Sequence, residues 1–101
     1  MSQKDSQYEI TCIFYSDTSK FHAGRDQVRE VIKKLGMKIA GEEYMGLKEL
    51  AYPIEKEKQG NYFLYKVISR PEDAHRVRSE LRHNTSVLRM MVIKCEELWL
   101  T

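Results

Sequence analysis

Residues 50–65 read Leu-Ala-Tyr-Pro-Ile-Glu-Lys-Glu-Lys-Gln-Gly-Asn-Tyr-Phe-Leu-Tyr. An apolar run closes on Tyr52-Pro53-Ile54, four alternating charges follow, and an aromatic run opens after Gly60. Two extended segments around a polar connection make a β-hairpin. The connection is expected at residues 55–61, with Gly60 supplying a positive φ. Tyr62 to Ile68 is then a strand. Tyr62 and Leu64 share one of its faces, and Phe63, Tyr65 and Val67 share the other. One set must lie under helices. Pro53 has no N–H for a ladder, which puts it near a strand end or on a sheet edge.

Upstream, Met37 to Ile54 is extended but long for one strand, and Gly41 and Gly46 mark bends or bulges within it. Before it, Val28, Val31, Ile32 and Leu35 repeat at i, i+3, i+4 and i+7, one face of a helix. Phe21 docks its first turn, Gly24 costs it slightly, and Gly36 stops it. Ser16, Asp17, Thr18 and Ser19 form a capping cluster. Tyr8 to Tyr15 is the first strand, with Ile10, Cys12 and Phe14 on one face. Downstream, Ser69-Arg70-Pro71-Glu72 has the spacing of a capping box, with Pro71 in the first turn. A helix follows with Ala74, Val77 and Leu81 inward and His75, Arg78 and Arg82 as an adjacent stripe. Asn84, Thr85 and Ser86 end it, and Val87 to Cys95 is the last strand.

The order is β-α-β-β-α-β. With right-handed crossovers this gives an α+β, ferredoxin-like fold. Its four-stranded antiparallel sheet has the order 4-1-3-2, with both helices on one face. The second strand is at an edge, which suits Pro53, and the other sheet face is free. With 101 residues, the expectation is a single domain, 1–101, with an ordered core of about 7–97 and a short polar tail, 1–6.

The composition narrows the function. No apolar run is long enough to cross a bilayer and no secretory signal is visible, so a soluble cytoplasmic protein is expected. Cys12 and Cys95 each sit in an apolar run and read as reduced core thiols. His22, His75 and His83 show no ligand spacing with each other or with the cysteines, so no metal is expected. There is no phosphate-binding or nucleophile motif, and no cofactor is implied. An acylphosphatase-type enzyme needs an arginine in the loop after the first strand. Ser16-Asp17-Thr18-Ser19-Lys20 has none and carries an acid, so no catalytic role is expected. The net charge is +2, but residues 66–94 hold seven Lys/Arg against three Asp/Glu. Most of that excess is arginine, whose planar fork suits phosphate.

Gly46-Leu47-Lys48-Glu49-Leu50-Ala51-Tyr52-Pro53-Ile54, then a charged loop, Gly60 and an aromatic strand, resembles the bacterial-type small-subunit ribosomal protein six family. Tyr8-Glu9, Gly36, Val87-Leu88-Arg89 and Lys94 support the resemblance, which runs from about residue 8 to 96. It implies the ferredoxin-like fold and a structural, non-enzymatic ribosomal role. It also implies a heterodimer with ribosomal protein eighteen that binds the central domain of small-subunit rRNA during assembly. By position, Lys48, Arg82 and Arg89 are the RNA-facing residues. Glu49 departs from the family, which has a second basic residue there, and an acid repels phosphate. Met45 stands where tryptophan is frequent. Met45 and Leu47, beside the second strand's exposed edge, are the candidate partner contacts. Trp99, in the apolar Leu98-Trp99-Leu100 tail, is expected to pack over an end of the sheet, with contact to a partner as the alternative.

The alternative is an RRM-like single-stranded RNA-binding module, which shares the element order. Its third-strand consensus overlays best on Lys58-Gln59-Gly60-Asn61-Tyr62-Phe63-Leu64-Tyr65. The glycine comes one place late, and the small residue after the first aromatic is missing. The first strand offers only Tyr8 or Tyr15 as a second stacking platform.

Overall fold

Alternation along Ser6–Tyr15, strand β1, sends Tyr8, Ile10, Cys12 and Phe14 to one side, and all four are buried. The computed structural model describes residues 5–82 and 86–95. After β1 come α1 (Thr18–Lys34), β2 (Lys38–Ile54), β3 (Glu57–Ser69), α2 (Pro71–Glu80) and β4 (Val87–Lys94). The sheet order is β2-β3-β1-β4, with every neighbouring pair antiparallel. This is the expected 4-1-3-2 order counted from the opposite edge. Thus β2 and β4 are the edge strands.

Helix α1 begins at Asp17, whose Oδ2 accepts the Lys20 N–H at 3.0 Å. It ends in a Schellman motif. Gly36, at φ 84°, donates to the Lys33 carbonyl at 3.0 Å, and Met37 donates to the Ile32 carbonyl at 3.2 Å. Met37 then drops into the core. Phe21, Gly24, Val28 and Ile32 form the buried stripe. Gly24 does more than slightly weaken a helix. A Cβ there would lie 2.7 Å from Cδ1 of the fully buried Phe14, so only glycine lets α1 close onto β1. The same helix is tied to β2 by Arg29, whose Nε and Nη2 donate to the two Glu42 carboxylate oxygens at 2.8 and 2.7 Å. These bonds hold the Glu42 carboxyl below its ordinary pKa.

The capping box at α2 does not form. Arg70 is the N-cap and offers no side-chain cap bond, while the Ser69 hydroxyl donates to the Arg70 carbonyl at 2.7 Å. Pro71, Glu72 and Asp73 carry the helix start instead: a preset φ, and negative charge at the positive end of the dipole. Ala74, Val77 and Leu81 are buried as expected. Leu81 is the C-cap. Of the expected terminators, Asn84 and Thr85 lie outside the described residues, as do Trp99 and its neighbours.

The core sits between the helices and one sheet face. Tyr65 is fully buried there, and its hydroxyl donates to the Arg25 carbonyl at 2.8 Å. That bond satisfies the phenol, and burial pushes its pKa up. Cys12 is fully buried and free, and burial pushes its thiol up to about 12, so it acts as a small hydrophobe. Cys95 is only half-buried, so the expected pair of core thiols reduces to one.

The hairpin differs from its sequence reading. Its turn is only Glu55-Lys56, at φ 50° and 68°, and β3 already begins at Glu57. Two positive φ values are what a type I′ turn needs, and this turn matches the twist of the flanking strands. Gly60 is not at positive φ. It is a buried strand residue, needed for packing.

Candidate nucleic-acid interface

Strand alternation decides what the free sheet face carries. Phe63, Tyr65 and Val67 point at the helices, which leaves Tyr62, Leu64 and Lys66 of β3 on the other side. Register extends this face across the sheet. Ile13 of β1 lies between Tyr62 of β3 and Arg89 of β4, and Lys48 of β2 lies opposite Gly60. Met91 and Ile93 of β4 continue the face beside Thr11 and Glu9.

The Leu-Ala-Tyr-Pro-Ile segment supplies the relief. β2 pairs Glu49 with Gln59 and then Ile54 with Glu57, so four β2 residues stand against one β3 residue. Leu50-Ala51-Tyr52-Pro53 therefore bows out of the ladder, and Pro53 falls where no N–H is required. The bow folds over the free face. Leu50, Tyr52 and Ile54 line a depression of about 120 Å³ with Ile13, Tyr62 and Arg89. Gly60 makes this possible. Ile13 Cγ2 occupies the space that a Gly60 Cβ would take, and Leu50 Cδ2 lies 3.7 Å from that position.

The three basic residues singled out by sequence are all exposed. Lys48 Nζ stands 5.3 Å from the Tyr62 ring centre, and the Arg89 guanidinium carbon stands 6.0 Å from that of Tyr52. Arg89 also lines a second depression, about 280 Å³, with Arg78, Leu81, Arg82 and Val87 at the end of α2. So Arg89 joins Arg82 to the aromatic notch, and Lys48 reaches the same notch from the other edge of the sheet. Among the described residues no carboxylate pairs with Lys48, Arg78, Arg82 or Arg89. Unpaired arginines beside exposed aromatic rings can bind phosphate and stack bases. Arg78 and Tyr52 carry no RNA role in the sequence reading, and Tyr62 does so only in the RRM-type alternative. Arg78 was visible in the α2 stripe. Tyr52 was hidden because the bow breaks the period of two.

Glu49 faces the opposite side of β2 from Lys48, although the depression it lines shares Leu50 and Tyr52 with the notch. Lys48 faces the free side, so Glu49, the next strand residue, faces the other side. There it lines a depression with Ser16, Lys56 and Lys58. Replacing it with glutamine is expected to change RNA affinity by less than about threefold at physiological salt, because the strand lies between and solvent screens the rest. Filter or fluorescence titration measures this, and a tenfold gain would put Glu49 on the RNA face after all.

Met45 and Leu47 are exposed on the β2 edge, at 39% and 49%, beside the equally open Tyr44. Met45 is the extra residue of a bulge between Tyr44 and Gly46. Leu47, opposite Asn61, turns to the helix side. It lines a depression of about 490 Å³ with Phe21, His22, Arg25 and Tyr44. The Tyr44 hydroxyl donates to Asn61 Oδ1 at 2.6 Å, and Asn61 Nδ2 donates to the Tyr15 carbonyl at 2.9 Å, which fixes this edge. Tyr44 was not anticipated.

The family described as Ribosomal protein S6 matches residues 7–94. The chain belongs to the ribosomal protein S6 family. It is 33% identical over 97 residues to the small ribosomal subunit protein bS6 of Thermus thermophilus, covering 93% of this chain and 95% of that one. It is 36% identical over 93 residues to bS6 of Granulibacter bethesdensis, where 90% of this chain spans only 60% of the relative. The 30S ribosomal protein S6 from Thermotoga maritima has the same fold, with a TM-score of 0.81 at 20% identity over 91% of this chain and 89% of its own. The C-terminal domain of the MgtC protein from Mycobacterium tuberculosis also shares it, with a TM-score of 0.64 at 10% identity over 100% and 99% of the two chains. The architecture therefore does not assign a function by itself, and the S6 assignment rests on sequence. S6 relatives are structural proteins of the small ribosomal subunit rather than enzymes, which associates the family with the ribosome and its RNA. No helix among the described residues is long and apolar enough to cross a membrane.

Proposed function

We infer that this S6-family chain binds the central domain of small-subunit rRNA as a heterodimer with ribosomal protein eighteen, during assembly of the subunit. The supporting observation is the position of Arg89, which lines both the notch reached by Lys48 and the depression lined by Arg82. One arginine thus connects the three candidate RNA contacts into a single strip. The major groove of A-form RNA is too deep and narrow for side chains to read, so such a strip acts on shape and phosphates. Its few cations are enough if the partner supplies the remaining charge.

Alternation along β2 suits a two-partner arrangement. Leu47 and Lys48 are consecutive and face opposite ways, so the apolar edge with Tyr44, Met45 and Leu47 serves the protein partner while Lys48 serves RNA. An RRM-type platform needs a second aromatic on the free face of β1. That face carries Glu9, Thr11 and Ile13, and its one aromatic is Tyr15 at the strand end, opposite Gly60 with Lys20 Nζ 4.7 Å from its ring, whereas Tyr8 is in the core.

Titration of the purified chain against the central three-way junction, alone and with ribosomal protein eighteen, tests the assignment. Tight binding only by the pair is expected. Avid binding of short unstructured single strands by the chain alone would overturn it in favour of the RRM-type module.

A further inference from the structure

We propose that the notch under the β2 bow receives one unpaired RNA nucleotide, its base stacked on Tyr52 and its phosphate held by Arg89 with Lys48. This rests on the RNA-binding reading and adds a contact to a base within that same surface. Four observations carry it. Tyr52 is 62% exposed although its ring sits at the mouth of an apolar depression. The bow that carries it is the longest of the three interruptions in the β2–β3 ladder, which frees Tyr52 from the plane of the sheet. The walls, Ile13, Leu50 and Ile54, are apolar, and the volume of about 120 Å³ suits a single flat ring better than a helix or a strand. Cations flank the notch on both sides and, among the described residues, no carboxylate neutralises them.

That combination matches a nucleotide. The charge favours an anion, and the open aromatic plane favours a π-face. A paired base inside a helix has both faces covered by its neighbours, so only a bulged, looped or junction nucleotide can use Tyr52. Arg89 serves both parts of the ligand, since a guanidinium over a ring strengthens stacking while its outer N–H groups bind phosphate.

The test uses the heterodimer and a central-domain rRNA fragment in which unpaired nucleotides are replaced one at a time by 2-aminopurine. The expected result is that one position loses emission on binding the wild-type pair. Tyr52→Phe should keep that response. Tyr52→Leu should abolish it and weaken binding roughly 5- to 100-fold, the size of one lost base–aromatic stack. Thermal unfolding of both variants is expected to match wild type, because the side chain is exposed. The proposal falls if no position responds, or if Tyr52→Leu binds as tightly as wild type while Arg89→Ala is weakened. In that case the RNA assignment stands without the base contact. It also falls if Tyr52→Leu impairs pairing with ribosomal protein eighteen instead, which would make the notch a protein contact. Absence of RNA binding by the wild-type pair would remove the RNA assignment itself.

Discussion

Arg89→Ala is expected to weaken binding of the heterodimer to central-domain rRNA by roughly 10- to 100-fold, the loss of a charge-assisted hydrogen bond to phosphate. The slope of log affinity against log salt should become shallower by about one, because one fewer counterion is released. Arg89 carries the largest single effect because it lines both depressions of the basic strip. Arg82 lines only one of them, and Lys48 lines neither but stands 5.3 Å from the Tyr62 ring at the notch. The fold should not suffer. Arg89 is exposed, and β4 is held by Met90 and Val92, which pack on the core from the opposite face. Arg89→Lys should fall between wild type and alanine, since an ammonium keeps the charge but loses the planar fork. Titrations at several salt concentrations, with circular dichroism of each variant, make the measurement. An unchanged salt slope for Arg89→Ala would remove this residue from the RNA contacts.

The elements most legible in the sequence are those whose patterns stay regular. Ile10, Cys12 and Phe14 alternate without interruption, and Val28 with Ile32 repeats at helical spacing, so β1 and α1 fall where expected. Two right-handed crossovers from β-α-β-β-α-β put β2 at a sheet edge, as observed. At the hairpin, Gly60 is the sequence's obvious turn residue, but it does not make the turn. The positive φ values instead belong to Glu55 and Lys56, residues that adopt them at some cost and give no sequence signal. The capping box failed because Ser69 was spent on a neighbouring carbonyl and Arg70 became the cap. At the site, Lys48, Arg82 and Arg89 could be named from sequence, but their convergence could not. It depends on a bow of four residues that brings Tyr52 over a strand at the far side of the sheet. The sign of Glu49 suggested a defect in the RNA surface. Strand alternation places that charge on the other side.

Gly60→Val is expected to lower stability by about 1–3 kcal/mol, the usual cost of forcing extra methyl groups into a packed site. For a domain of this size that is a fall in melting temperature on the order of 5–20 °C. The steric reason is local. The new Cβ would collide with Ile13 Cγ2 and stand 3.2 Å from the Phe14 carbonyl oxygen. Ile13 is β-branched and only 9% exposed, so it has little freedom to rotate away. Valine suits a strand better than glycine, but that gain is at most about 1 kcal/mol and does not cover the clash. Gly41 provides the contrast in the neighbouring strand. A Cβ there meets only Lys66 Cδ at an ordinary 3.8 Å, so Gly41→Ala should be close to neutral. The route of relief then links stability to function. The softest neighbour is Leu50, on the bow, and lifting it moves Tyr52 away from Arg89 and opens the notch. Gly60→Val should therefore lose RNA affinity even at temperatures where it is fully folded, although Gly60 presents no side chain to RNA. Thermal unfolding of the two glycine variants, followed by RNA titration well below the transition, separates the effects. A Gly60→Val protein that melts within about 2 °C of wild type would show that the bow does not rest on Gly60.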